Sequence, residues 1–287
     1  MTRLVVVITL AMLAFAGNSL LCRLALRDTT IDAASFTAIR LASGALMLGL
    51  IVRARPLSGR GRVTAQGSWA MAACLFGYAA AFSFAYRQLS AATGALLLFG
   101  AVQTAMVSWG VARGERLRPL QLGGLLVAVG GLVYMLLPGL SAPPIEGAVF
   151  MIAAGIFWAG YSLLGRGVRD PTAATAGNFI RSVAFAAALS LALSGGTSVD
   201  HAGALYAVAS GAITSGLGYV LWYAALPSLT AASAAVIQLS VPAIAALGGV
   251  ILLAEPLSAR LLMASAAIVG GIALTIVGRS RSGGTRP

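Results

Sequence analysis

Charge is scarce in this chain. Of its 287 residues, 9% are charged, against about a quarter in a soluble domain, which is too little to cover a water-facing surface. Lysine is absent altogether: the basic side chains are nineteen arginines, set against seven acids. There is one histidine, His201, in a polar stretch between apolar runs, and there are two cysteines, Cys22 and Cys74. Neither cysteine has a Cys or His at ligand spacing, so both read as free thiols. No carboxylate pair, H-E-x-x-H, Ser-His-Asp set or P-loop is present. The glycine clusters GGLLVAVGG and VGGIA are spaced for close helix packing in lipid and lack the strand a dinucleotide fingerprint needs. Enzymatic chemistry, a metal and a cofactor are therefore not expected.

What the chain does have is apolar surface: 59% hydrophobic residues and a mean hydropathy of +0.94. That composition excludes a soluble enzyme, a DNA-binding module, a secreted disulfide scaffold and a disordered tail. The formal net charge of +12 would suggest nucleic acid on a soluble protein. In a membrane protein it follows from arginines collected in cytoplasmic loops, and no nucleic-acid partner is expected.

A membrane-crossing helix takes about 20 apolar residues. The sequence predicts ten, near 4–26, 33–52, 67–86, 91–112, 119–138, 147–165, 172–194, 202–226, 229–253 and 258–277. Pro119 and Pro171 stand at helix starts, where a missing N–H costs little. The first span, without an A-x-A site and polar continuation, is expected to stay in the protein. With both termini inside, thirteen arginines face the cytoplasm, and only Arg23, Arg27, Arg87 and Arg260 lie outside, a decisive bias.

The chain also repeats itself. FAGNSLLCR at 15–23 returns as WAGYSLLGR at 158–166, and Arg40 of span 2 returns as Arg181 of span 7. Leu89–Gly131 aligns without a gap on Leu229–Gly271, pairing Glu115 with Glu255 and Gly130-Gly131 with Gly270-Gly271. The repeats occupy 1–140 and 141–287 within one membrane domain. Five spans are an odd number, so the second repeat is inverted in the membrane. Inverted repeats mark secondary transporters, with the substrate held near the midplane.

These motifs resemble the drug/metabolite transporter superfamily, within it the EamA type and the YddG-like amino acid exporters. The resemblance covers the whole chain. It implies an all-α membrane protein of ten spans, spans 1–4 and 6–9 surrounding a cavity and spans 5 and 10 at the periphery. It also implies export of amino acids, other metabolites or toxic cations.

Polar and aromatic side chains inside the spans are the candidate substrate contacts, since such groups are expensive in hydrocarbon unless they face the bundle interior or water. They are Trp158, Tyr78, Trp222, Phe82, Tyr219, Tyr161, Asn18, Gln103 and Gln238, of which the mid-span Trp158, Tyr78 and Trp222 rank first. Core packing and interhelical bonding are the competing roles for each. Arg40 and Arg181 lie roughly 10–15 Å deep at about 1.5 Å per residue. Each suits either a substrate carboxylate or helix-end carbonyls, and their mirrored depths favour a scaffold role. Pro242 sits inside span 9, where its partner in span 4 is Val102, and frees the carbonyl of Gln238. Glu115 and Glu255 close spans 4 and 9 as further structural or gating candidates.

The expected function is export of amino acids or similar small metabolites across a bacterial inner membrane by alternating access, with broad specificity. A cation or drug exporter is the alternative, and a non-transporting membrane protein or intramembrane enzyme the alternative of another class. The glycine faces of spans 5 and 10 suit intramolecular packing and dimer contacts equally, so monomer and homodimer both stay open.

Overall fold

The computed structural model describes residues 2–55, 66–114, 117–139, 142–229 and 231–280; Glu115 lies outside them. Among the described residues the structure is helical throughout, and ten helices are long and apolar enough to cross a membrane. The first repeat supplies α1 (Thr2–Asp28), α2 (Ala33–Ala54), α3 (Trp69–Tyr86), α4 (Ala91–Ala112) and α5 (Pro119–Leu136). The second begins with α6 (Ile145–Leu164) and α7 (Pro171–Ala192). Its eighth span joins α8 (His201–Val208), a π-helical segment Ala209–Leu217 and α9 (Gly218–Ala225). Its ninth is α10 (Ala231–Gln238) and α11 (Ser240–Leu253), and its last is α12 (Ala259–Ser280).

Helix starts follow local chemistry. Asp32, Ser68, Ser90, Asp170 and Asp200 each cap a helix by accepting from a first-turn N–H, which satisfies one of the donors a helix N-terminus leaves open. Pro119 and Pro171 open α5 and α7 as their sequence positions indicate. Two caps also join loops at one end of the bundle. Asp32 accepts from Ser198 N at 2.9 Å, and Asp200 accepts from Thr30 N at 2.8 Å. The Gly203 N–H first, with the Thr29 and Thr30 donors, holds the Asp200 carboxyl down to about 2.

The two repeats do not stand apart. α3 packs on α6, as α1 packs on the eighth span; α4 packs on α6, as α1 packs on α11. α2 lies on its own counterpart α7, and α5 on its counterpart α12. Packing therefore follows the two-fold relation that an inverted repeat provides.

Two elements depart from that relation. Span 8 winds wide over nine π-helical residues. Gly211 there meets α2 so closely that a Cβ would collide with the Arg40 carbonyl oxygen. In span 9 the helix stops at Leu239, whose N–H turns back to Val236 O at 3.1 Å. Pro242 is thus the third residue of a new helix, where an N–H has no helical acceptor in any case. The break falls just before Pro242, whose ring offers no N–H to the Gln238 carbonyl.

The glycines of α5 and α12 form a contact inside the molecule. A Cβ on Gly124 would come within 2.5 Å of Gly271 O, and one on Gly271 within 2.5 Å of Gly124 O, while Gly130 and Gly270 meet nothing within 4 Å. Small residues let backbones approach without a hydrophobic drive between helices. Gly271→Val should cost at least the ~1–3 kcal/mol typical of overpacking. Gly130→Ala should be neutral or gain up to ~1 kcal/mol of helix propensity. Melting temperatures of the two purified variants in detergent check both expectations.

Candidate functional site

A cavity of about 820 Å³ runs from the middle of the bundle to the arginine-rich end, where Leu117, Arg166, Val168 and Pro171 line it. Its blind end is aromatic. Trp158 of α6 stacks on Tyr219 of α9 at 5.6 Å and 14° and on Tyr161 at 5.4 Å and 23°. Trp222 meets Phe15 edge-on at 6.1 Å. Such stacked and edge-on pairs contribute ~0.5–1.5 kcal/mol each beyond area burial and fix the rings as a rigid wall.

Polar groups punctuate this wall. The hydroxyls of Tyr161 and Tyr223 each bond Thr175 Oγ1 at 3.1 Å, and Asn178 Nδ2 donates to Tyr161 at 3.3 Å. Gln103 of α4 and Gln238 at the end of α10 line the cavity with no protein partner among the described residues. The break at Leu239 places the Gln238 amide there, in keeping with the broken helices that form binding sites in transporters. No Asp or Glu is among the described lining residues.

The sequence candidates divide accordingly. Trp158, Tyr161, Tyr219, Trp222, Gln103 and Gln238 line the cavity. Tyr78, Phe82 and Asn18 do not; they form a buried layer behind Trp158. Tyr78 packs on Trp158 at 4.8 Å and on Phe82 at 5.3 Å, and its hydroxyl accepts from Asn18 Nδ2 at 3.3 Å. Asn18 Oδ1 in turn accepts from Ser210 at 2.7 Å and Thr214 at 3.4 Å, both in the π-helical segment. Helical spacing puts Tyr78, Phe82 and Tyr86 on one face, but which neighbour that face meets depends on helices distant in sequence. α5 and α12, peripheral by the resemblance, also contribute wall residues, among them Gln121 and Thr275. Thr175 went unnoticed in sequence because one threonine in an Ala/Thr-rich helix start carries no local signal.

The opposite end is shut. Arg23 Nε pairs with Glu255 Oε1 at 3.0 Å, the two side chains only 14% and 7% exposed. Glu255 Oε2 accepts from Ala91 N at 2.8 Å, and Arg23 Nη1 donates to Tyr86 O at 3.0 Å. One ion pair thereby ties the ends of α1, α3 and α4 to the turn after α11. That turn depends on Ala254, left-handed at φ 51°, which swings Glu255 back toward α1. Arg27 adds a bond to Leu253 O at 2.8 Å.

The two buried arginines part company. Arg181 donates to Gln66 O and to Gly177 O at 2.6 and 3.0 Å, the carbonyl-satisfying role expected of both. Arg40, 2% exposed, makes a single bond, from Nη2 to Tyr78 Oη at 3.3 Å.

Comparison with known proteins fits this architecture. The profile of the EamA-like transporter family matches residues 145–277, which is the second repeat. An uncharacterized protein of Pseudomonas aeruginosa is 57% identical over 277 residues, covering 96% of both chains. An uncharacterized transporter of Archaeoglobus fulgidus is 28% identical over 254 residues, 82% of this chain and 84% of that one. A protein of known crystal structure shares the fold, with a TM-score of 0.66 at 21% identity over 96% of this chain and 97% of its own. This chain is accordingly a multi-pass membrane protein belonging to the EamA-like transporter family.

Proposed function

We propose that this transporter exports amino acids and similar small metabolites from the cytoplasm across a bacterial inner membrane. Both termini are cytoplasmic in this reading, and the two inverted repeats work by alternating access. The observation that carries it is the cavity, aromatic and free of acids among its described lining residues, open at the arginine-rich end and sealed at the other. Arginine-rich ends face the cytoplasm, so the bundle stands open to its substrate's compartment. A volume of about 820 Å³ lies within the range of small-molecule sites. Its aromatic wall tolerates varied side chains, because one methylene more or less changes binding by only ~1–3 kcal/mol. Tyr161, Tyr223, Gln103 and Gln238 offer hydroxyl and amide groups for the polar end of such a molecule. A lipophilic cation would be better served by a carboxylate in the wall.

The repeat supplies the counterpart closure. Arg166, the partner of Arg23, lines the open mouth, and Glu115 is the partner of Glu255. In this reading the cytoplasmic end closes around Arg166 as Arg23 and Glu255 separate.

Purified protein in liposomes tests the function. Saturable uptake of several neutral and aromatic amino acids is expected, and it should proceed without a pH gradient, since no carboxylate relay crosses the described spans. Uptake of lipophilic cations instead, with no amino acid transported, would favour the alternative. Trp158→Ala removes the central ring and should weaken amino acid uptake about tenfold, one tenfold step being ~1.4 kcal/mol, with membrane insertion unchanged. Glu255→Gln leaves Arg23 without its charge partner, a loss of up to ~3–5 kcal/mol for a buried pair, and favours the outward-open state. In a Cys74→Ala background, labelling of buried Cys22 by an impermeant maleimide should then rise several-fold over the parent.

A further inference from the structure

We propose that Arg40 is a receptor for the substrate's carboxylate, placed on the outward half of the transport path behind the aromatic wall. The proposal rests on the export reading above and specifies which part of the substrate the protein recognises.

Arg40 has two donor atoms, Nε and Nη1, that are buried and meet no acceptor. Its guanidinium lies over the rings of Tyr78 and Phe82, 5.3 and 5.0 Å from their centroids. Two aromatic faces return part of the cost of burying an ion, and the larger part of it stays unmet. No carboxylate among the described residues pairs with it. Asp32, on the same helix, lies about 12 Å away along the axis at ~1.5 Å per residue, and its oxygens already accept from Ala34, Ser35 and Ser198. Glu255 is taken by Arg23 and Ala91.

A scaffold role does not account for this. The repeat partner, Arg181, gives its Nη1 to two backbone carbonyls, a scaffold use that Arg40 does not share. An apolar residue at position 40 would fill the same space at lower cost. Nε and Nη1 stand on different edges of the planar guanidinium, and each has a proton to give to a carboxylate oxygen in a charge-assisted bond.

Its place in the bundle fits a path. From the cavity inward come Trp158, then Tyr78 in contact with it, then Arg40 bonded to Tyr78. Beyond Phe82 lies Tyr86, whose carbonyl holds Arg23 of the closed end. A molecule leaving the cavity toward that end passes one aromatic layer and meets Arg40 before the ion pair.

The test uses purified full-length protein in detergent, with leucine and leucinamide as probes, which differ in the carboxylate. Binding is read from tryptophan fluorescence and stability from the melting temperature. Wild type should bind leucine at least about tenfold more tightly than leucinamide. Arg40→Met should abolish that preference, leave leucinamide affinity within about twofold, and melt no lower than wild type without ligand. Equal loss of both affinities, a lower melting temperature or a preference that survives would each overturn the proposal. If Arg40→Met yields no folded protein, Arg40→Lys decides: a reduced preference with intact leucinamide binding supports the receptor, and an unchanged preference refutes it. Should wild type bind neither probe, the amino acid reading fails, and propionate against propionamide then tests Arg40 by itself. An Arg40-dependent preference for propionate upholds an anion site for another metabolite; its absence overturns one.

Discussion

Hydrocarbon offers no hydrogen bonds, so a polar atom within this bundle is costly unless it finds a partner in the protein or faces the cavity, and that constraint decides where most polar residues stand. The hydroxyls of Thr37, Ser83 and Ser182 return to carbonyls on their own helices. Thr37 also bonds Ser83, and Ser182 bonds Ala72 O, so the same atoms pin α2 to α3 and α3 to α7. Gln103 and Gln238 escape the constraint by lining the cavity. Arg40, 2% exposed, leaves two donors unmatched in an apolar layer, and in our reading that unmet cost is the mark of a group held for a ligand.

The same constraint shapes the closed end. An ion pair is affordable near the membrane surface only if its remaining lone pairs and protons are used, and those of Arg23 and Glu255 go to Ala91 N and Tyr86 O. The pair is therefore a joint between four helix ends rather than an isolated contact. Near-identical sequence stands at the other end in Arg166, which lines an open mouth. Related segments in opposite orientations thus occupy different states within one molecule, which is how an inverted repeat provides two conformations from one motif.

Departures from the two-fold relation gather around the cavity's inner end. The π-helical segment brings Ser210 and Thr214 onto Asn18, and the break at Leu239 turns Gln238 to the cavity. Irregular backbone at membrane depth is tolerated where it is enclosed by protein or lines a cavity. Stable helix packing, including the glycine contact of α5 with α12, holds the frame around these irregular segments.

Much of this was legible in the chain itself. Composition and span length determined an all-α membrane protein, arginine placement its ends, and the repeated FAGNSLLCR and WAGYSLLGR its two-fold plan, because each rests on chain-local or pairwise sequence properties. Six of the nine proposed contact residues line the cavity because mid-span polar and aromatic groups have few other places to go. Three-dimensional packing decided the rest. Tyr78, Phe82 and Asn18 fell behind the wall, α5 and α12 joined it, and span 9 broke at Leu239, just before Pro242. Arg40 and Arg181, equivalent in the repeat, separated into an unmatched cation and a carbonyl-bound one, since whether a buried donor finds an acceptor depends on helices tens to hundreds of residues away.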